Sequence, residues 1–293
     1  MLADTISHNS NNIDKNLQKS ISITIVGRPN TGKSTLFNKI LNKNLSTITH
    51  KRQTTQNIFN GIKTIDNTQI IMWDTPGIFN QSSKENRFVK LAWHTLYASD
   101  IIFIMISAVF KHDLKIEKQI IDNIAKNNNH NSHKQKIIIC INKIDLTPNR
   151  IDELKMIFKN YDILTICALK NSSKDAILNK CIENAYLKPW LYDSNTITNL
   201  DNESITNEIT RKQILLNIHE EIPYSTIVEN TSLKENKDNI IIHQEIIAKH
   251  ARHKGIIIGK KAKTIKNINI RARREMEALF DKKIHLFINV KSL

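Results

Sequence analysis

Gly27-Arg28-Pro29-Asn30-Thr31-Gly32-Lys33-Ser34 follows the apolar run Ile21-Ser22-Ile23-Thr24-Ile25-Val26 and precedes Thr35-Leu36-Phe37-Asn38-Lys39-Ile40-Leu41, which has helical spacing. A turn between a buried strand and a helix can fold its backbone N–H groups around anionic oxygens only where side chains leave room, and Gly27 and Gly32 leave it. Lys33 then supplies a point charge for the β- and γ-phosphates, and the Ser34 hydroxyl is a ligand for Mg²⁺. The stretch from Gly27 to Thr35 therefore predicts a phosphate-binding P-loop set in an α/β sheet.

Further along, Asn142-Lys143-Ile144-Asp145 ends the apolar run Ile137-Ile138-Ile139-Cys140-Ile141. An open α/β sheet presents its ligand crevice at such strand ends, so this is a candidate base-reading loop. Guanine shows two adjacent donors, N1–H and the N2 amine, and one carboxylate accepts both. Asp145 thus selects guanine. Asn142 can either hydrogen-bond the purine edge or brace the P-loop, and the aliphatic stem of Lys143 can lie over the base. Cys167-Ala168, after Ile163-Leu164-Thr165-Ile166, fits a last base-contacting loop in which a small residue lets a backbone N–H reach O6.

Between these loops, Gln69-Ile70-Ile71-Met72-Trp73 runs into Asp74-Thr75-Pro76-Gly77-Ile78. Asp74 can hold Mg²⁺ through water, and the Gly77 N–H can reach the γ-phosphate, which makes Gly77 a sensor of GTP against GDP. The polar segment Gln53-Thr54-Thr55-Gln56-Asn57 supplies a first switch. Thr55 is the expected Mg²⁺ ligand that engages only with γ-phosphate, with Thr54 as the alternative.

In order and spacing these elements make residues 21–190 similar to the small translation-factor-type GTPases, which implies their parallel sheet and switch loops. Ile78 departs from the Ras-like pattern, because an isoleucine cannot orient the attacking water as glutamine does. In the similar GTPases with a hydrophobic residue there, an asparagine matching Asn30 holds a K⁺ ion near the developing phosphate charge. The resemblance thus implies K⁺ at Asn30 as electrostatic stabiliser, against the plainer reading that Asn30 shapes the loop.

The chain of 293 residues has room for two cored domains. No stretch of about 18 apolar residues occurs, which argues against a membrane-spanning helix. Residues 1–20 are polar and Asn-rich, without the apolar core of a signal peptide, and read as a loose extension. Cys140, Cys167 and Cys181 form no C-x-x-C pair and are expected to be reduced core thiols of a cytoplasmic protein. The formal charge of +15 exceeds what nucleotide chemistry requires and implies a polyanionic partner, either nucleic acid or an anionic membrane surface.

Local placement of that charge is more informative. After Trp190, residues 191–203 are polar and read as a linker, and residues 204–293 form a second domain. Helical spacing from Ile205 to Ile218 stops before Pro223. Strand-like runs come next at Ser225 to Val228 and Ile240 to Ala248, joined by a polar turn from Ser232 to Asn239. Gly255-Ile256-Ile257-Ile258 then meets Gly259-Lys260-Lys261-Ala262, a long helix is predicted from Lys263 to Phe280, and a strand from Ile284 to Val290 ends the unit.

This order resembles the bacterial, type II KH domain, a small α+β fold, with Ile258 to Ala262 at the place of its GXXG loop. In such domains the loop clamps about four nucleotides. The resemblance makes Lys254, Gly255, Ile258, Gly259, Lys260, Lys261, Ala262, Lys263 and Lys266 the candidate RNA contacts. From Lys249 to Arg274 there are ten Lys or Arg and no Asp or Glu. Ala262 stands where the family has its second glycine. Its methyl disfavours positive φ, so either the turn is helical there or the backbone approach to RNA is compromised.

A P-loop GTPase followed by one type II KH domain resembles the Era-type GTPases over about residues 21–291. That resemblance implies GTP hydrolysis with Mg²⁺, binding to the 3′ region of 16S ribosomal RNA, assistance to small-subunit maturation, a monomeric chain in the cytoplasm, and peripheral contact with the inner membrane. The competing expectation is a membrane-surface or cell-cycle signalling GTPase whose basic face binds anionic lipid. Such a protein should carry an amphipathic helix with a large aromatic or leucine face, whereas residues 263–280 carry an ordinary core stripe.

Overall fold

The computed structural model describes residues 17–43, 45, 60–74, 87–109, 113–130, 132–147, 150–218 and 222–293. Two sheets organise them. The first is built from β1 (Lys19–Gly27), β2 (Asn60–Ile65), β3 (Thr68–Asp74), β4 (Ile101–Ser107), β5 (Lys136–Asn142) and β6 (Asp162–Ile166), in the spatial order β2-β3-β1-β4-β5-β6. A short β7 (Tyr186–Leu187) pairs antiparallel with the start of β1. Only β2 runs against the others on the main path, in its hairpin with β3.

The near-continuous apolar strands follow from burial on both faces, as parallel sheets require. In β4, Ile101, Phe103 and Met105 face one core and Ile102, Ile104 and Ile106 the other. Helices α1 (Lys33–Leu41) and α5 (Asn171–Asn184) bring Leu36, Phe37, Ile40, Ile177 and Leu178 to the first core. Helices α2 (Arg87–Ala98), α3 (Lys115–His130) and α4 (Ile151–Ile157) close the other with Ala92, Leu96, Ile120, Ile124 and Leu154. The parallel register sets the C-terminal ends of the central strands side by side, with Gly27 opposite Met105, Ser107 opposite Asn142, and Asn142 opposite Ile166. That shared edge is the crevice of an open α/β sheet.

The second sheet has the order β10-β9-β8, with β8 (Thr226–Glu235) antiparallel to β9 (Asn239–Ala248) and β10 (Lys283–Ser292) parallel to it. Helices α6 (Asn202–Asn217), α7 (Ala251–Ile258) and α8 (Lys263–Phe280) accompany it. Their buried residues, among them Ile214, Ile257 and Ile268, meet Ile246 and Val290 of the sheet. Asp201 caps α6 by accepting from the Ser204 N–H at 2.7 Å. The order of helices and strands along the chain matches the sequence reading, but β8 runs on to Glu235 through residues read as turn, with a bulge between Asn230 and Ser232. Polar residues there occupy the exposed positions of a one-sided strand, which hides its apolar alternation.

The polar stretch read as a linker is bound along the first sheet. Gln69, fully buried, accepts from the Leu191 and Tyr192 N–H groups at 3.0 and 3.1 Å and donates to the Tyr192 carbonyl at 2.8 Å. Thr198 forms an antiparallel bridge with Gly61 of β2. A single hydrophobic core continues from α1 and α5 into Ile205, Ile209, Ile240, Ile242 and Met276 of the second unit. The three cysteines are free and buried, and burial pushes the Cys140 and Cys181 thiols up, Cys140 further because of Cys181.

Candidate nucleotide and nucleic-acid sites

The P-loop turns from β1 into α1 with Asn30 at φ 64° and Gly32 at φ 99°. A side chain at Gly32 would be strained by that φ and would collide with the Asn142 amide nitrogen. The Lys33 ammonium is held by the Gly27 and Arg28 carbonyls at 2.7 and 2.8 Å, so the loop itself supplies its acceptors. Thr31 is buried and its hydroxyl donates to the Arg28 carbonyl at 2.9 Å, while Pro29 and Asn30 are exposed. Ser34 lies in the first turn of α1, and its side chain makes no hydrogen bond to the described residues. A hydroxyl oxygen so placed fits a hard cation such as Mg²⁺. Thr35 is exposed one residue on.

Asn142 resolves its two expected roles toward bracing. It is 2% exposed, its amide donates to the Thr31 carbonyl at 2.7 Å, and its oxygen accepts the Ala168 N–H at 2.9 Å. The Ala168 N–H expected at guanine O6 is therefore bonded to Asn142 in this structure. Cys167 N–H donates to Ser173 Oγ at 2.9 Å, so the start of α5 fixes the same loop. Lys143 takes a left-handed φ of 65°, and Asp145 is exposed beyond it, with Ile144 between them half-buried. Both base-reading segments and the P-loop thus share one crevice.

Arg28 carries a feature that the sequence did not disclose. Its guanidinium bonds both oxygens of Glu117, at 2.8 and 3.3 Å, and the Asp113 carbonyl at 2.8 Å. Glu117 is fully buried in the first turn of α3. The bidentate geometry ties the P-loop to a helix across the crevice. No local motif signals this pairing, because the partners lie 89 residues apart.

Gln53, Thr54, Thr55, Gln56, Asn57, Thr75, Pro76, Gly77 and Ile78 lie outside the described residues, and of Asp74 only the backbone, at the end of β3, is described.

In the second unit, Gly259 ends α7 at φ 74°, and a Cβ there would collide with the Thr264 hydroxyl. A single turn, Lys260–Ala262, then leads into α8. Ala262 adopts φ 57° and ψ 20°, so the position keeps a glycine-like, left-handed backbone despite its methyl, and the turn is not helical there. Lys261 is left-handed as well, at φ 51°. Lys260, Lys261, Ala262, Lys263 and Lys266 are exposed, as are Gly255 and Ile256 on α7; Lys254 and Ile258 are half-buried. The result is a basic loop at the positive end of a long helix, bordered by an exposed apolar side chain.

Comparison with known proteins agrees with both halves. Residues 22–143 match the family described as 50S ribosome-binding GTPase, and residues 221–292 match the KH domain family. GTPase Era of Rickettsia prowazekii is 38% identical, covering 94% of this chain and 93% of that protein. GTPase Era of Ehrlichia canis is 35% identical over 91% of this chain and 90% of that one. Among solved structures, a variant of Aquifex aeolicus Era bound to GDP.AlF4⁻ superposes with a TM-score of 0.76 at 30% identity, over 94% of each chain. Era in complex with MgGDPNP and nucleotides 1506–1542 of 16S ribosomal RNA gives 0.74 at 31% identity, again over 94% of each. With a P-loop and a candidate base-reading loop at one sheet edge, a KH unit in the same chain and relatives that match over nearly the whole length, the chain belongs to the Era family of GTPases.

Proposed function

We propose that this GTPase is a nucleotide-controlled RNA-binding switch that engages the 3′ region of 16S ribosomal RNA and assists maturation of the small ribosomal subunit. The observation that carries the reading is the acid-free basic stretch from Lys249 to Arg274, centred on the loop between α7 and α8, in the same chain as a guanine-nucleotide crevice. A neighbouring Era structure holds a 16S fragment together with MgGDPNP, which supports the choice of partner.

The residues divide the work. P-loop N–H groups cradle the phosphates, and Lys33 exchanges its loop carbonyls for phosphate oxygens, which are stronger acceptors for an ammonium. Asp145 reads the N1 and N2 donors of guanine. Mg²⁺, when bound by Ser34, Thr55 and, through water, Asp74, supplies charge neutralisation at the phosphates. Thr55 and Gly77 report the γ-phosphate, and loss of that group on hydrolysis releases both switches. Asn30 holds K⁺ beside the transferring phosphate in place of an arginine finger. Arg28 cannot take that part while Glu117 and Asp113 hold it.

On the RNA side, exposed lysines of the loop neutralise phosphates and release counterions, giving affinity that falls with salt. The protein acts as a monomer in the cytoplasm, with peripheral contact at the inner membrane through its basic face. Crosslinking to cellular RNA with GDP and with a non-hydrolysable GTP analogue tests the central reading. Recovery of the 16S 3′ region, in amounts that differ between nucleotides, is expected; equal recovery, or none, refutes it. Equal hydrolysis in K⁺ and Na⁺ would remove the potassium assignment, and failure to sediment with anionic vesicles would remove the membrane contact.

A further inference from the structure

Residues on either side of the first switch are fastened to the chain beyond the GTPase domain. Upstream, Lys43 donates from its ammonium to the Leu279 carbonyl in the last turn of α8, at 2.7 Å. Downstream, Asn60 opens β2 fully buried and is five residues past Thr55. Its N–H donates to Asn199 Oδ1 at 2.9 Å, and the Asn199 N–H donates back to Asn60 Oδ1 at 3.2 Å. The Asn60 amide also donates to the Tyr192 hydroxyl at 2.9 Å, and the Ile62 N–H to the Ile197 carbonyl at 2.7 Å. Two residues beyond Asn199 stands Asp201, the cap of α6.

We infer that Asn60 and Asn199 are the positioning pair through which the first switch sets the placement of the KH unit, with the Lys43 to Leu279 bond as a second strut. The inference rests on the switch reading and names its transmission. On the switch reading, gain or loss of γ-phosphate contact at Thr55, five residues upstream, acts on the start of β2. A reciprocal amide pair passes such a displacement on, because each partner holds the other's backbone rather than a mobile side-chain end. Asp201 then carries it into α6, which packs against α8, the helix that the Lys260–Ala262 turn adjoins. Because coupling is reciprocal, RNA held by the KH unit acts back on the nucleotide through the same pair.

The full-length protein tests this. Affinity for an oligonucleotide of the 16S 3′ end is measured with GDP and with a non-hydrolysable GTP analogue, and the ratio of the two is the readout. Asn199→Ala should bring the ratio to within about twofold of one, with GDP affinity close to wild type, since Asn199 touches no described nucleotide-binding residue; the Asn60 N–H it leaves without its acceptor lowers the melting temperature. Asn199→Asp keeps the acceptor for the Asn60 N–H and should restore the ratio, which a merely structural role would not require. Lys43→Met should bring the ratio toward one independently and serves if Asn199→Ala folds poorly. A wild-type ratio different from one that persists in both Asn199→Ala and Lys43→Met overturns this inference and leaves the switch reading standing. A wild-type ratio of one overturns both.

Discussion

Ala262 offers a direct measure of how far the nucleic-acid loop is built for a glycine. At φ 57° and ψ 20° its backbone is left-handed, which costs an L-residue about 1–2 kcal/mol. Ala262→Gly removes that cost but gives the unfolded chain more freedom to lose, an offset of roughly 0.5–1 kcal/mol. The methyl is exposed, so no packing is sacrificed. The expected net gain is about 0.5–1 kcal/mol, or roughly 3–6 °C in the melting temperature if the KH unit melts by itself. Urea unfolding followed by a KH-specific probe should show a raised midpoint at unchanged slope. Ala262→Val should shift the midpoint the other way, because a β-branched side chain tolerates positive φ poorly. An Ala262→Gly midpoint at or below wild type would refute the strain argument. RNA affinity should hold or rise in the glycine variant, since the loop already has the glycine-like backbone and only the methyl is removed.

Asp145→Asn should lower GTP affinity by more than about tenfold and gain xanthine nucleotides, because an amide presents a donor where guanine also donates; competition binding with GTP and XTP reads it. Glu117→Ala should destabilise the GTPase domain by about 3 kcal/mol, at the lower end for a broken buried pair because Arg28 retains Asp113, and should weaken nucleotide binding through the untethered P-loop; denaturant midpoints and nucleotide titration check both. Burial holds the Glu208 carboxyl above the usual carboxylate range, with Arg211 opposing. Its folded form binds protons more tightly than its unfolded form, so its contribution to stability rises as pH falls through that window. Glu208→Gln should raise the melting temperature at neutral pH and flatten this part of the pH profile, as thermal melts from about pH 4 to 8 would reveal.

The phosphate loop, the strand-end loop that opens at Asn142 and the order of the KH elements were legible because each is local: a few adjacent residues carry the pattern, and strand or helix periodicity carries the context. What escaped depends on distant partners. Gln69 reads as a polar residue at the start of a strand and Asn60 as one inside the strand-like stretch Ile58 to Ile62, and nothing nearby announces that each is fully buried and bonds to a partner more than 120 residues away. Residues 191–203 have a linker's composition, yet those amides and Trp190, which donates to the Lys19 and Asn67 carbonyls, hold the chain along a sheet edge. Composition reports which groups can hydrogen-bond, and only the fold reports whether they do. Ala262 defies its local preference for a related reason: its methyl predicts avoidance of positive φ, but the geometry of the turn overrides a preference of about 1–2 kcal/mol.

Asn142 has one more consequence. A single buried amide spans from the P-loop to the loop proposed to read the base, so on that reading the distance between the two functions is held by one side chain. Such a site acts as a gauge of length. Guanine alone or pyrophosphate alone meets only one end, and neither gains the effective concentration that a covalent link confers when its span matches the sites. Ligand choice then depends on the tether between base and phosphates as much as on either part. Shortening Asn142 would blur that measurement before it abolished recognition of either end.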